Sequence, residues 1–562
     1  MTFTYSVSPQ DWLGIAPIVV LVLMVLLTMS VDLLLPHAGK RSKHSGPANF
    51  AVLPIVALVG VLLALAVTIA LFFIEHPASA FNNMIGSDNG TLYAYLIILI
   101  AGGLGVLLSP AYLKRLNLVH QGEYYALMLL AMTGMLLMAG ATNFAIVFVG
   151  LEIFSLALYI LCSFIDQRPT SQEAGMKYFL LSSFASAFLL YGISLIYAAT
   201  GHTSFIDIQS FVATHSHGHA PLLLLTGMAL LTVGFAFKVS AVPFQSWTPD
   251  VYQGAPAPVT AFMSIGTKVA ALLAFVRVFG FMLSSVQNDW MPVVWGIAVL
   301  TIVAGNLMAL GQSNIKRMLA YSSIAHGGYL LIGIVVSGAG QRHIGASAIL
   351  FYLSCYLFMN IGAFGVISLL ERRDNSGYEL AELRGLWYRN PWLAGLLAFF
   401  LLALAGFPPM VGFAGKYYLF YAALVGGHPE LLIIGILASV LGIYYYLRFI
   451  ATMFMEGREG IRGTGRGESY GTARPEVPVT PTRRPIRNAV PAASSVTAVA
   501  ERPLPTKVTS PVIRTSEPEP TRELEWMSWL ALGIAALGTL VVGIILPFWL
   551  PTIQQAAQQL MR

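Results

Sequence analysis

The stretch "FKVSAVPFQSW", residues 237–247, sets Lys238 five residues before Pro243, at the end of an apolar run that begins at Leu222. Residues 222–237 carry no charge. A charged side chain at the centre of a bilayer costs at least about 2.5–3.5 kcal/mol, so a lysine there needs a reason. Pro243 has no backbone N–H and its ring clashes with the preceding turn, so the helix must break beside the lysine. The break leaves carbonyls free and makes room for water. Membranes tolerate such backbone only where it is enclosed by protein or lines a wet cavity. The stretch therefore predicts an all-α polytopic membrane protein with a polar interior.

The rest of the chain agrees. Of its 562 residues, 57% are hydrophobic and only 10% are charged, against about 25% charged in soluble domains. Fourteen apolar segments are each long enough to cross about 30 Å of hydrocarbon: 11–35, 50–74, 91–109, 123–140, 142–165, 173–199, 222–242, 256–280, 292–312, 318–339, 345–371, 391–423, 430–455 and 526–549. The runs are continuously apolar, which excludes the alternation of a membrane β-barrel. The first lacks a basic flank and a cleavage site, so it is expected to be a retained span.

Loops after odd-numbered spans hold Lys40, Arg41, Lys43, Lys114, Arg115, Arg168, Lys316, Arg317, Arg372, Arg373, Arg384 and Arg389. The opposite side holds Arg342 and Arg562. This bias predicts both termini on the outer, periplasmic side of a cell membrane. Of the 31 Lys and Arg residues, 11 lie in 456–525, so the net charge of +6 belongs to the inner face. It points to anionic lipid or an acidic partner, not nucleic acid. Cys162 and Cys355 are isolated, which supports neither a disulfide framework nor a metal site.

Residues 456–525 hold 10 of the 30 prolines. Such a segment buries too little apolar surface to offset its ordering entropy, and is expected to be a disordered basic tether. Its "GTGRG" (463–467) has neither a strand before it nor a helix after it, so a dinucleotide loop is not expected. Spans 4–8 contain the break near Pro243, and spans 9–13 contain another at Gly406-Phe407-Pro408-Pro409. Paired broken helices in corresponding positions point to inverted repeats. The organisation expected is three spans over 1–110, repeats over 123–280 and 292–455, the tether, and a last span over 526–549.

The ionisable residues within the spans are Glu152, Lys177, Lys238, Lys268, Arg277, His326, Lys416 and Arg448. Desolvation disfavours an ammonium, and a nearby carboxylate favours it again. A lysine balanced between the two can take up and release a proton. Lys238, Lys268 and Glu152 suit that role. Against it stands a structural ion pair between Lys238 and Glu152. His326, in "YSSIAHGGYLL", either bridges two lysines or is a hydrogen-bonded core residue. Arg277 and Arg448 are expected to anchor. His215, His217 and His219 lie in an outer loop. With no Cys-x-x-Cys pair or dinucleotide loop, the chain is expected to hold no cofactor.

At "FKVSAVPFQSWTPDVYQGAPAPVTAFMSIGTK" (237–268) the sequence resembles the antiporter-like membrane subunits of respiratory complex I. The resemblance is closest to subunit N (subunit 2) of proton-translocating NADH:quinone oxidoreductase. It extends through "GEYYALMLLAMTGMLLMAGATNFAIVFVGLEIFSLALYIL" (122–161), "EAGMKYFLLSSFASAFLLYG" (173–192), "NIKRMLAYSSIAHGGYLLIG" (314–333) and "LALAGFPPMVGFAGKYYLF" (402–420). Lys268 favours subunit N over its L and M relatives, where histidine is expected.

The resemblance implies fourteen transmembrane helices, two inverted five-helix repeats, and discontinuous helices 7 and 12. It makes Glu152 the modulating carboxylate of the fifth helix, Lys238 the central lysine of the broken seventh helix and Lys268 the lysine of the eighth. Lys416 becomes the exit group, and Lys177 a sixth-helix lysine paired with Glu152. NADH, FMN, iron–sulfur clusters and quinone would belong to partner subunits, and the partners would be other membrane-arm subunits. One departure is Gln245, where "VPFHxW" has histidine; glutamine cannot titrate. The competing readings are a subunit of a multi-subunit cation/proton antiporter and a packing scaffold whose lysines are only structural.

Overall fold

The computed structural model describes residues 8–35, 49–116, 118, 121–216, 219–338, 342–372, 376–456 and 522–561. The expected tether over 457–521 lies outside them, as does His217. The membrane-facing part begins with α1 (Ala16–Leu34), α2 (Asn49–Leu71) and α3 (Asn89–Leu116). Then come α4 (Gln121–Gly140), α5 (Phe144–Cys162), α6 (Pro169–Thr200), α7 (Leu222–Lys238), α8 (Trp247–Gly254) and α9 (Ala257–Phe275). The remainder is α10 (Gln287–Leu310), α11 (Ile315–Gly338), α12 (Arg342–Leu370), α13 (Pro391–Ala405), α14 (Val411–Val425), α15 (Pro429–Phe454) and α16 (Arg522–Leu560).

Twelve of these are long and apolar enough to cross a membrane. The other four, α7 with α8 and α13 with α14, are short helices in two pairs, each pair divided by a break where the sequence places one. The chain is thus an all-α, multi-pass membrane protein.

Every residue of α9 is buried, and α11 is enclosed except at Arg317 and Tyr321. The outer helices α2, α6 and α15 leave Leu62, Phe184 and Leu437 bare, as hydrocarbon requires. Because lipid is as apolar as leucine, close packing is what holds such helices together. A Cβ added at Gly134 of α4 would stand 2.5 Å from the Phe154 nitrogen and 2.8 Å from the Gly150 carbonyl oxygen of α5. One added at Gly192 of α6 would stand 2.9 Å from the Gly227 carbonyl oxygen of α7.

At the first break, the groups released from the helix find new partners. Val242 N–H donates to the Thr301 hydroxyl at 2.9 Å, and Ala241 N–H to the Ala236 carbonyl at 2.8 Å. The Trp247 indole donates to the Phe237 carbonyl at 3.1 Å, and Thr248 to the Ser240 hydroxyl at 2.8 Å. At the second break, α13 ends on Gly406 at φ 82°, a left-handed conformation that glycine adopts without strain.

The ends of the chain depart from the sequence reading. The first segment divides into a short helix, Pro9–Gly14, and α1. The last helix, α16, has 39 residues and extends past the 526–549 expected. It runs on because Gln554, beyond the apolar stretch, donates to the Tyr418 hydroxyl at 3.2 Å and the helix end packs inward.

Candidate functional site

Lys238 closes α7 with only 2% of its surface exposed. Its Nζ donates to Ser155 Oγ at 2.8 Å and Ser182 Oγ at 2.7 Å. The Phe154 and Tyr178 rings lie 5.3 and 5.5 Å from it, near enough for cation–π attraction. Glu152 stands one turn before Ser155 on α5, within electrostatic reach of Lys238. No ion pair within 4 Å joins the two among the described residues, and Glu152 Oε1 is enclosed with no hydrogen-bond partner. The structural ion pair weighed above is therefore absent.

Lys268, on fully buried α9, donates to the Ser323 carbonyl and, at 2.5 Å, to its hydroxyl. The Tyr356 ring lies 5.2 Å away. Lys416, on α14, donates to the Ala405 carbonyl at 2.8 Å and Ser439 Oγ at 2.9 Å. Among the described residues, Lys268 and Lys416, like Lys238, meet hydroxyls, carbonyls and rings with no carboxylate in ion-pair range. His326 lies within electrostatic reach of both Lys268 and Lys416. Its Nδ1 shares a hydrogen bond with the Tyr352 hydroxyl at 2.5 Å, and its Nε2 with Tyr446 at 3.3 Å.

Lys177 is placed elsewhere. Its side chain is 41% exposed and pairs with Glu173 at 2.7 Å and Asp250 at 2.6 Å, not with Glu152 as the resemblance implied. Asp250 in turn binds Arg317 at 2.7 Å, tying α8 to both α6 and α11. The reason is position: Lys177 lies two turns from the start of α6, level with α8, whereas Ser182, five residues further on, is the α6 residue that reaches Lys238.

Several polar groups escaped the sequence reading. Ser322 and Tyr446 share a hydrogen bond, Tyr445 donates to Asn306 at 3.3 Å, and Asn306 donates to Tyr329 at 3.2 Å. The Tyr329 ring also lies 5.6 Å from Lys416 Nζ, and Ser322 adjoins the Ser323 that holds Lys268. A tyrosine in an apolar run reads as core, so nothing in the pattern separates them. Arg168 and Lys316, counted above as loop charges, are buried against Glu371. Arg277 anchors as expected, on Asp88 at 2.6 Å and on the Ala139 carbonyl at 2.6 Å, and Arg448 caps the Leu310 carbonyl at 2.9 Å. Gln245 Oε1 is enclosed without a hydrogen-bond partner among the described residues. His215 stacks on Phe211, and His219 meets Asp289 at 2.9 Å. Among the described residues no group of three His, Cys, Asp or Glu could hold a metal ion.

Residues 141–442 match a family described as the NADH:quinone oxidoreductase/Mrp antiporter membrane region. The chain is 41% identical over 456 residues to NADH-quinone oxidoreductase subunit N of Chloroflexus aggregans, covering 81% of this chain and 90% of that one. It is 43% identical over 436 residues to subunit N of Trichlorobacter lovleyi, covering 78% and 87%. Respiratory complex I from Thermus thermophilus contains a chain of TM-score 0.67 and 28% identity, with 95% of this chain and 98% of that one covered. A chain of the Mrp complex from a Dietzia species shares the fold alone, at TM-score 0.70 and 20% identity over 98% and 97% of the two chains. Relatives this similar over about four-fifths of this chain leave one assignment: the chain belongs to the subunit N family of NADH-quinone oxidoreductases.

Proposed function

We propose that this chain is the proton-translocating membrane-arm subunit of an NADH:quinone oxidoreductase, in which quinone reduction by other subunits drives protons along Glu152, Lys238, Lys268, His326 and Lys416. One observation carries the reading. Three lysines enclosed in membrane helices are solvated by neutral oxygens and, among the described residues, lack a carboxylate in ion-pair range. A scaffold needs its buried charges paired, because an unpaired one is strongly destabilising. A proton carrier needs partners that hold the ammonium and still tolerate the amine. Hydroxyls and carbonyls do both.

Glu152 biases Lys238 across a gap, so its charge can tune the lysine without locking it. Lys177 serves at the surface, holding α8 through Asp250. His326 stands within electrostatic reach of both Lys268 and Lys416 and links them. The chain crosses the membrane fourteen times, with α7–α8 and α13–α14 as discontinuous helices 7 and 12. Support for two repeats comes from matching neighbours: α4 packs on α5 and α9 much as α10 packs on α11 and α15. The charge bias supports a cell-membrane location with both termini outside. NADH, FMN, iron–sulfur clusters and quinone are assigned to partner subunits.

The antiporter reading rests on the shared membrane-region family and on fold, and is the weaker one. The reading is tested with complexes carrying Lys268→Met, a change of similar length that removes the titratable nitrogen. NADH-driven proton uptake into sealed vesicles should fall while NADH oxidation by an artificial acceptor persists. Undiminished uptake would contradict it.

A further inference from the structure

Lys316 is a fourth lysine inside the bundle, and the path above leaves it unused. It opens α11 with its side chain 1% exposed, and its Nζ stands 2.6 Å from Glu371 Oε2. Glu371, just past α12, is equally enclosed. Its other oxygen, Oε1, accepts from the Arg168 guanidinium and, at 2.8 Å, from the Tyr112 hydroxyl. The Tyr378 ring covers the ammonium at 4.9 Å. Arg115 of α3 lies within electrostatic reach of both Glu371 and Arg168. The groups facing Lys316 are thus Glu371, Arg168, Tyr112 and Tyr378, with Arg115 behind.

Two features set this cluster apart from an ordinary buried pair. The first is redundancy. Removing one member of a buried pair normally strands the other charge. Here Glu371 would keep a guanidinium and a hydroxyl if Lys316 became neutral. The second is position. Ser323, which holds Lys268 by its hydroxyl and its carbonyl, follows Lys316 by seven residues. Two turns put both on one face of α11, about 10 Å apart along the axis. His326 follows on the same helix.

Resting on the proton-relay reading, we infer that Lys316 is a further proton-carrying residue, which Glu371 holds as the ammonium and from which a proton passes along α11 towards Lys268. The step moves a single proton. An N–H bond of the Lys316 ammonium breaks, intervening water carries the proton, and the neutral amine of Lys268 gains it. Arg168 compensates Glu371 meanwhile. No electron changes hands.

The test compares assembled complexes in sealed vesicles. Lys316→Arg keeps the ion pair but cannot cycle its charge at physiological pH, so proton uptake per NADH oxidised should be largely lost. Lys316→His keeps a titratable nitrogen and should retain part of it. A structural role predicts the reverse order, and Lys316→Arg complexes pumping like the parent would overturn the proposal. Failure of both variants to assemble would also overturn it, marking Lys316 as a structural ion. Lys238→Met separates the two levels: if it abolishes uptake while Lys316→Arg does not, only Lys316 loses its role. If Lys238→Met pumps normally, the relay reading itself fails.

Discussion

Lys416 reaches back across a helix break to donate, at 2.8 Å, to the carbonyl of Ala405, the last residue of the preceding half-helix. The break thus supplies the acceptor, and the lysine satisfies a carbonyl that the missing turn leaves free. Gly406 makes the approach possible. It sits at φ 82°, and a Cβ there would lie 3.1 Å from Lys416 Nζ. Gly406→Ala is expected to cost roughly 1–2 kcal/mol from the left-handed backbone alone and to push Lys416 off its carbonyl. Thermal denaturation of the purified complex should show the loss of stability, and vesicle assays a fall in pumping. A variant as stable and active as the parent would refute the strain argument.

Helix contacts through glycine predict a sharp contrast between two substitutions. At Gly134 a Cβ would meet backbone atoms at 2.5 and 2.8 Å, which no side-chain rotation relieves. Gly134→Ala should therefore separate α4 from α5 and reduce assembled complex on a native gel. Gly296→Ala meets nothing within 4 Å and should be neutral or stabilise α10 by up to about 1 kcal/mol. Equal assembly of the two variants would contradict the packing account.

Asp250 and Glu371 each bind two cations but differ in burial, and this ranks their worth. Asp250 is 33% exposed where it binds Lys177 and Arg317, so Asp250→Asn should cost about 1 kcal/mol or less, and less still at high salt. Glu371 is 1% exposed, and Glu371→Ala strands buried cations at about 3–5 kcal/mol. Denaturation midpoints at low and high salt check the order. Similar losses for both would show that burial does not set the cost here.

What the sequence disclosed and what it hid follow from distance along the chain. A lysine beside a proline in an apolar run signals its own break, so Lys238 and Lys416 were legible together with the helices they interrupt. Lys268 was legible because no other charge lies near it in its span. Partners were not. Asp250 is 73 residues from Lys177, and Glu371 is 203 from Arg168. Lys316 and Arg168 lie at helix ends, where a cation reads as a loop charge, and only packing reveals that α3 and α12 enclose them. The hydroxyls of Ser155, Ser182 and Ser323 look like ordinary small residues of membrane helices until the lysines are seen to rest on them.

The most direct measurement is NADH-driven proton uptake by sealed vesicles carrying Lys238→Met complexes, with assembly verified on a native gel. Methionine matches lysine in length and removes the nitrogen held by Ser155 and Ser182. Glu152→Ala should lower uptake in the same direction, and Glu152→Asp less, since it keeps the charge. If Lys238 carries protons, assembled Lys238→Met complexes oxidise NADH with an artificial acceptor yet take up few or no protons, and Lys238→Arg fails likewise because its charge cannot cycle. Uptake by Lys238→Met equal to that of the parent would contradict the account.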